Sequence, residues 1–318
     1  MKVLLIGCGA VGLSLASALY KSNVDVDLIA RGETAEAIRN NGIERCGILG
    51  NVFVEPDKIR VFEKIENAEG GYDFIINSAK TTGNADIAKG LADRKSNILS
   101  SNGIMVLFQN GYGNEQAFTD VFNMSRIYHA SLAIGFRRPK PNISEVTVIT
   151  SPVSIGSIFA SPFEACEKLA EAINLGGIPA GVTDEIDKIL WTKLLYNCAL
   201  NPLSAILRTS YGGLIKSESS ISLMEKIIDE IFEVMHAAGH ESFWEDSRSY
   251  KKDFFEKILP PTLGHRSSTL QDIERRLPTE IDSLNGAVVR MGEKFKIKTP
   301  CNSVITQIIK SAESLYEA

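Results

Sequence analysis

No uninterrupted apolar run in this sequence approaches the ~18 residues that a membrane-crossing helix needs. No segment is therefore expected to span a membrane. A basic tract is also missing. The 34 Lys and Arg are dispersed among 39 Asp and Glu, for a net charge of −5, which argues against a nucleic-acid partner. The five cysteines (Cys8, Cys46, Cys166, Cys198, Cys301) are scattered, odd in number and free of any CxxC pair. That usage excludes a disulfide framework and a cysteine zinc site, and it suggests a reducing, cytoplasmic setting. Residues 1–6 lack the basic start, long apolar stretch and cleavage site of a secretory leader. Histidine is scarcer still, at four. His236 and His240 have the i, i+4 spacing of a metal pair with Glu241 adjacent, yet Ala237-Ala238-Gly239 between them predicts a helix end. No metal site is expected. His129 and His265 stand without companions, and no Ser-His-Asp or Cys-His constellation is readable. Repeats and low-complexity segments are absent.

What is present is ordinary globular material. The 318 residues are 44% hydrophobic and 23% charged, enough for two cores. The chain opens with an apolar strand over 2–6. Gly7-Cys8-Gly9-Ala10-Val11-Gly12 follows, then an Ala- and Leu-rich helix over 13–20. In this strand–turn–helix setting the GxGxxG spacing has a mechanical meaning. Gly7 allows a tight turn, Gly9 lets a pyrophosphate approach the backbone, and Gly12 lets the helix pack on the strand. The phosphates would meet the amides and dipole of the new helix. A second strand over 24–30 ends at Arg31. An NAD site usually places an acid there for the ribose hydroxyls, and Asp25 and Asp27 come too early for that role. Arg31 suits a 2′-phosphate and points to NADP(H). Further strands are expected at 52–54, 59–62, 72–78 (leading to Lys80), 104–108 (leading to Asn110), 126–136, 144–149 and 153–159. Helices are expected at 33–40, 85–94 and 165–174.

Gly176, Gly177, Pro179 and Gly181 mark a composition shift. It divides the chain into 1–182, a mostly parallel α/β domain, and 183–318, an all-α domain with helices at 219–238, 249–258, 268–276, 278–295 and 303–316. The helical stretch 190–201 carries the chemistry. Two apolar rows, Leu190-Leu194-Cys198 and Trp191-Leu195-Ala199, predict burial. Into them runs the row Lys193, Asn197, Asn201, four residues apart and so on one helix face. An ammonium flanked by carboxamides suits a small polar anion to which a proton is delivered. Pro202 predicts a kink or helix end beside this row.

Taken together, Gly7–Gly12, Asn110-Gly111-Tyr112-Gly113, Trp191–Cys198, Asn201-Pro202-Leu203, Ser267–Ile273 and Pro278–Gly286 resemble the ketopantoate reductase (2-dehydropantoate 2-reductase) family over nearly the whole chain. The resemblance implies a Rossmann-type N-terminal domain and a helical C-terminal domain, with substrate in the cleft between them. It implies NADPH-dependent reduction of 2-dehydropantoate to (R)-pantoate, toward pantothenate and coenzyme A. Lys193 matches the proton donor and Glu280 an acid that contacts cofactor and organises the lysine. Asn110, Asn197, Asn201 and Ser268 match substrate contacts. Gly7, Cys8, Gly9, Ala10, Val11, Gly12, Arg31, Lys80, Asn110 and Glu280 match the cofactor site. The expected partners are a small 2-oxo acid and, as the assembly left open, a second copy in a homodimer. The chain departs from the family pattern at Thr81-Thr82, at Tyr112 where Met, Val or Leu is usual, and at Thr269 where Met is usual. Two alternatives stand beside this reading: a reductase of another 2-oxo acid or imine, and a non-catalytic NADP-binding sensor. Glu280 also has a bland reading, as an acid favoured by the dipole in the first turn of a helix that starts at Pro278.

Overall fold

The computed structural model describes residues 1–316. Its contacts divide the chain into two compact units, Met1–Gln109 with Asn114–Ile186, and Asn110–Gly113 with the chain from Asp187 onward.

The first unit runs β1 (Lys2–Ile6), α1 (Ala10–Lys21), β2 (Asp25–Ile29), α2 (Gly32–Asn41), β3 (Ile43–Gly47), β4 (Val52–Val54), β5 (Arg60–Phe62) and β6 (Tyr72–Asn77). It continues through α3 (Asn84–Ala92), β7 (Leu99–Leu107), β8 (Ile127–Ser131), β9 (Ile134–Lys140), β10 (Ile143–Ile149), β11 (Val153–Gly156), α4 (Glu167–Leu175) and β12 (Ala180–Val182). The main sheet has the order β12-β11-β8-β7-β6-β1-β2-β5. Its pairings are parallel except β8 with β11. Strand order reverses between β1 and β6, the switch point where open α/β sheets take ligands at the strands' carboxyl ends.

A parallel sheet covered on both faces needs apolar residues at successive positions, and β1 supplies them. Val3 and Leu5 enter one core with Leu13 and Leu19 of α1, while Leu4 and Ile6 enter the other with Ile87 and Leu91 of α3. A second sheet, β4-β3-β10-β9, shares the first core through Ile43, Val54, Ile134 and Val146.

Two expectations for this unit are corrected. The single strand read over 126–136 is two strands in different sheets, β8 and β9, broken at Leu132 and Ala133. Both halves are apolar, so the pattern is continuous where the pairing is not. β3 and β12 were not expected. β3 carries Glu44, Arg45 and Cys46, and β12 lies in the glycine-rich boundary, where composition reads as loop.

The second unit's regular elements are helical: α5 (Ile186–Ile206), α6 (Tyr211–Leu214), α7 (Glu218–Ala237), α8 (Ser247–Asp253), α9 (Ser268–Glu274), α10 (Asn285–Phe295) and α11 (Pro300–Ser314). α7 ends before Gly239, which has φ +79°, so His240 lies beyond the helix that carries His236. Two further corrections fall here. Of the kink or helix end read at Pro202, the end is excluded, since α5 runs on to Ile206. The helix read from Pro278 begins instead at Asn285, after a 3₁₀ turn over Ile281–Ser283.

Candidate active site

The glycine turn after β1 lies at the first unit's switch point. Gly7 has φ +93°, and a Cβ there would lie 2.5 Å from the Ala79 amide nitrogen, so the turn after β1 is closed to any other residue. A Cβ on Gly12 would lie 1.9 Å from the Gly7 carbonyl oxygen, which itself accepts a 2.7 Å bond from Ser78 Oγ. Gly9 differs from both. A Cβ there would meet nothing within 4 Å, so the protein's own packing does not require glycine. An open approach beside the uncapped start of α1, which has no acid in its first turn, fits a pyrophosphate. Cys8, inside the motif, is buried, its thiol pushed up to about 12 by desolvation and aimed at the Ile29 carbonyl. It is a packing residue whose backbone shapes the turn.

Arg31 is exposed at the N-cap of α2, directly after β2. Asp25 and Asp27 are engaged elsewhere. Arg60 pairs with both, and Tyr72 donates to Asp27 at 2.5 Å. Arg138, which the sequence reading did not single out, reaches from β9 to donate to Thr34 Oγ1 at 2.6 Å in the first turn of α2, adding a second guanidinium near that helix start. Lys80 is exposed where the chain leaves β6. The loop it sits on is held by buried amides: Gln109 Nε2 donates to the Ala79 carbonyl at 2.7 Å and to Asn84 Oδ1 at 2.8 Å, and Asn77 Nδ2 donates to Asn84 Oδ1 at 3.2 Å.

The second unit carries the row on α5. Trp191, Leu194, Leu195, Cys198 and Ala199 are buried, and Asn197 and Asn201 are buried with them. Lys193 keeps some exposure, yet desolvation pushes its ammonium down to about 8, opposed by the negative charge of Glu280. Glu280 lies outside any α-helix, ahead of the 3₁₀ turn, so the helix-dipole account of it fails. Its Oε2 accepts from Asn110 Nδ2 at 3.2 Å. Acid, lysine and Asn110 thus form one charged group within this unit.

At the far end of the row, Tyr211 donates to Asn201 Oδ1 at 2.6 Å, which leaves the amide's NH₂ as the end that can reach an acceptor. Ser267 caps α9 by accepting from the Leu270 amide at 3.0 Å, and its hydroxyl donates to the Asn201 carbonyl at 3.0 Å. Ser268, next in sequence, is exposed at the first turn of α9 beside that junction.

The path of α5 through Pro202 has a specific support. Proline lacks the N–H that would bond the carbonyl of Cys198 four residues back. Asn285 Nδ2 supplies a donor instead, at 3.2 Å. Asn285 also bonds Asn302 Oδ1 at 2.9 Å, and Asn302 Nδ2 bonds the buried Glu230 carboxylate at 2.7 Å. Glu230 in turn accepts from the Cys301 and Asn302 amides at the start of α11.

Known proteins bear on this arrangement. The sequence model of the ketopantoate reductase PanE/ApbA family matches residues 3–158, and that of its C-terminal domain matches residues 185–313. The chain belongs to the ketopantoate reductase family. It is 32% identical to a 2-dehydropantoate 2-reductase of Aquifex aeolicus over 98% of this chain and 97% of that one. A crystal structure of a PanE/ApbA family ketopantoate reductase from Ralstonia eutropha JMP134 aligns over 100% of both chains at a TM-score of 0.85 and 25% identity. A D-mandelate dehydrogenase solved with NADH and anilino(oxo)acetate aligns over 100% of both at 0.83 and 24%, a likeness of fold.

Ketopantoate reductases are NAD(P)-dependent oxidoreductases, and this chain is such an enzyme. Within each unit the residues expected from sequence are brought together: Gly7–Gly12 and Lys80 at the switch point with Arg31 at the end of the neighbouring strand, and Lys193, Asn197, Asn201, Asn110 and Glu280 along or beside α5. The residues to which the sequence assigned no role are supports: Tyr211, Ser267, Asn285, Asn302, Glu230, Asn84 and Gln109, of which Ser267 and Asn285 fall inside stretches that carry the resemblance. Pro202 is the one signal that could have led to Asn285, since a proline inside a helical pattern asks what bonds the freed carbonyl. Among the described residues no group of three His, Cys, Asp or Glu could hold a metal ion, and no helix is long and apolar enough to cross a membrane.

Proposed function

We propose that this chain reduces the ketone of 2-dehydropantoate to (R)-pantoate with NADPH, a step toward pantothenate and coenzyme A. The observation that carries the reading is Lys193, an ammonium pushed down to about 8 on a buried polar row with Asn197 and Asn201. A bound reduced nicotinamide supplies a hydride to the ketone carbon. Negative charge then builds on the carbonyl oxygen, where the Lys193 ammonium stabilises it and delivers the proton that completes the alcohol. Glu280 keeps the lysine protonated and fixes Asn110, the residue assigned to the nicotinamide ribose and the substrate. Asn201 and Ser268 take the carboxylate. Asn197, one turn from Lys193, takes the terminal hydroxyl that distinguishes 2-dehydropantoate from simpler branched 2-oxo acids. Gly7–Gly12 hold the pyrophosphate, and Lys80 lies along the cofactor edge. Arg31, with no acid in its place, favours the 2′-phosphate of NADPH.

The test is a substrate panel followed by cofactor absorbance. 2-Dehydropantoate should be reduced best. Its deoxy analogue, 3,3-dimethyl-2-oxobutanoate, should be disfavoured by orders of magnitude in kcat/KM, because it leaves a buried amide unpaired. Equal turnover of the analogue, or far better turnover of a bulkier 2-oxo acid, would leave only the reaction type standing.

A further inference from the structure

The segment Asn110–Gly113 is fixed to the second unit from two sides. On one side it lies against Glu280–Ser283. Asn110 Nδ2 bonds Glu280 Oε2 at 3.2 Å, and the Tyr112 amide donates to the Ser283 carbonyl at 2.9 Å. Gly111, at φ +89°, sits where a Cβ would lie 2.1 Å from that same carbonyl oxygen. On the other side the Tyr112 hydroxyl donates to Asp187 Oδ1 at 2.6 Å, in the first turn of α5. Asp187 Oδ2 lies 2.8 Å from His240 Nδ1. The Tyr112 ring packs on Trp191 with centroids 4.8 Å apart, and Trp191 packs on His240 at 5.3 Å. Asp187 and Lys193 lie fewer than two helical turns apart on one helix, so a group tied to Asp187 is tied to the frame that carries the lysine.

We propose that Tyr112 is a positioning residue. Its hydroxyl, bonded to Asp187 and backed by His240 and Trp191, sets the carboxamide of Asn110 relative to Lys193. An aliphatic residue at position 112 would fill the space beside Trp191 and offer Asp187 nothing. This anchor therefore depends on the side chain that stands here rather than on the turn alone. The inference rests on the roles given to Asn110 and Lys193 in the proposed function.

Tyr112→Phe removes one oxygen and keeps the ring stack. Assayed with NADPH and 2-dehydropantoate well below its melting temperature, it should lower kcat roughly tenfold, the scale expected of a misplaced reacting geometry. KM for NADPH should stay near the parent value. The decisive readout is a double-mutant cycle with Asn110→Ala. If Tyr112 acts through Asn110, Tyr112→Phe should change kcat less than about twofold in the Asn110→Ala background. An equal loss in both backgrounds, or a lower Tm with kcat unmoved, makes Tyr112 a structural residue and overturns the proposal. Full activity of Asn110→Ala alone overturns the assignment of Asn110 and this proposal with it. A loss in Asn110→Ala beside a silent Tyr112→Phe overturns this proposal alone.

Discussion

Burial disfavours the charged form of Lys193 and the charge of Glu280 restores part of it, which leaves the lysine at about 8 in the folded chain against about 10.4 for a free side chain. The protonated form is the proton donor, so kcat/KM for reduction, which follows the free enzyme, should fall as pH rises through about 8. The folding consequence has the opposite sign. Between about 8 and about 10.4 the unfolded chain binds the extra proton, so stability gains as pH rises across that window and the penalty for a buried ammonium is present below it. Glu280→Gln removes the opposing charge and should lower the lysine's pKa further, shifting the falling limb of the kcat/KM profile toward acid. A limb that stays in place would show that Glu280 does not govern the lysine. Lys193→Ala should keep NADPH binding, read by titration of nucleotide fluorescence, and lose about 10²–10⁴ in turnover. Near-normal turnover would make the lysine a structural group.

At the scale of the element, α5 shows what a sequence discloses and what it does not. Its burial and its polar row follow from spacing within one stretch, and so were legible. The same holds for the glycine turn after β1, whose demands at Gly7 and Gly12 are met by neighbours that any strand–turn–helix unit brings close. The continuation through Pro202 was not legible, because the donor that makes it tolerable is Asn285, distant in sequence and unmarked by any local pattern. The split of 126–136 into β8 and β9 was hidden for a related reason, since mostly apolar residues run on from Ile127 to Phe136 while the hydrogen bonds of the two strands go to different sheets. Likewise the turn at Asn110 follows a strand of the first unit in sequence, yet it packs with the second. The Asn285 link makes a prediction. Asn285→Ala leaves a buried carbonyl at Cys198 without its donor and should cost roughly 1–3 kcal/mol in denaturant unfolding. Pro202→Ala restores an amide at the position that normally bonds that carbonyl. In the Asn285→Ala background it should recover part of the loss. If the two changes simply add, the carbonyl is not what Asn285 serves.

For the whole molecule, the choice between the two nicotinamide dinucleotides is a difference in linkage. A ligand that binds the folded first unit raises its stability by about 2.7 kcal/mol at a hundred times its Kd. A charge-assisted contact from Arg31 to a 2′-phosphate would contribute roughly 1.5–3 kcal/mol, about tenfold to a hundredfold in affinity. At equal concentrations NADH should then stabilise less than NADPH by at least about 1.4 kcal/mol as long as both sites are near saturation. For a unit of this size that difference corresponds to roughly 3–6 °C in Tm. Two compact units need not unfold as one, so calorimetry should follow the transition that nucleotide moves. The expected pattern is a larger upward shift with NADPH than with NADH in the parent protein. In Arg31→Ala the NADPH shift should fall to the NADH level while the NADH shift is unchanged. An equal shift with both nucleotides in the parent would remove Arg31 from cofactor selection. A NADPH advantage that survives Arg31→Ala would transfer the phosphate contact to another cation, and Arg138, bonded to Thr34 at the start of α2, is the next guanidinium to remove.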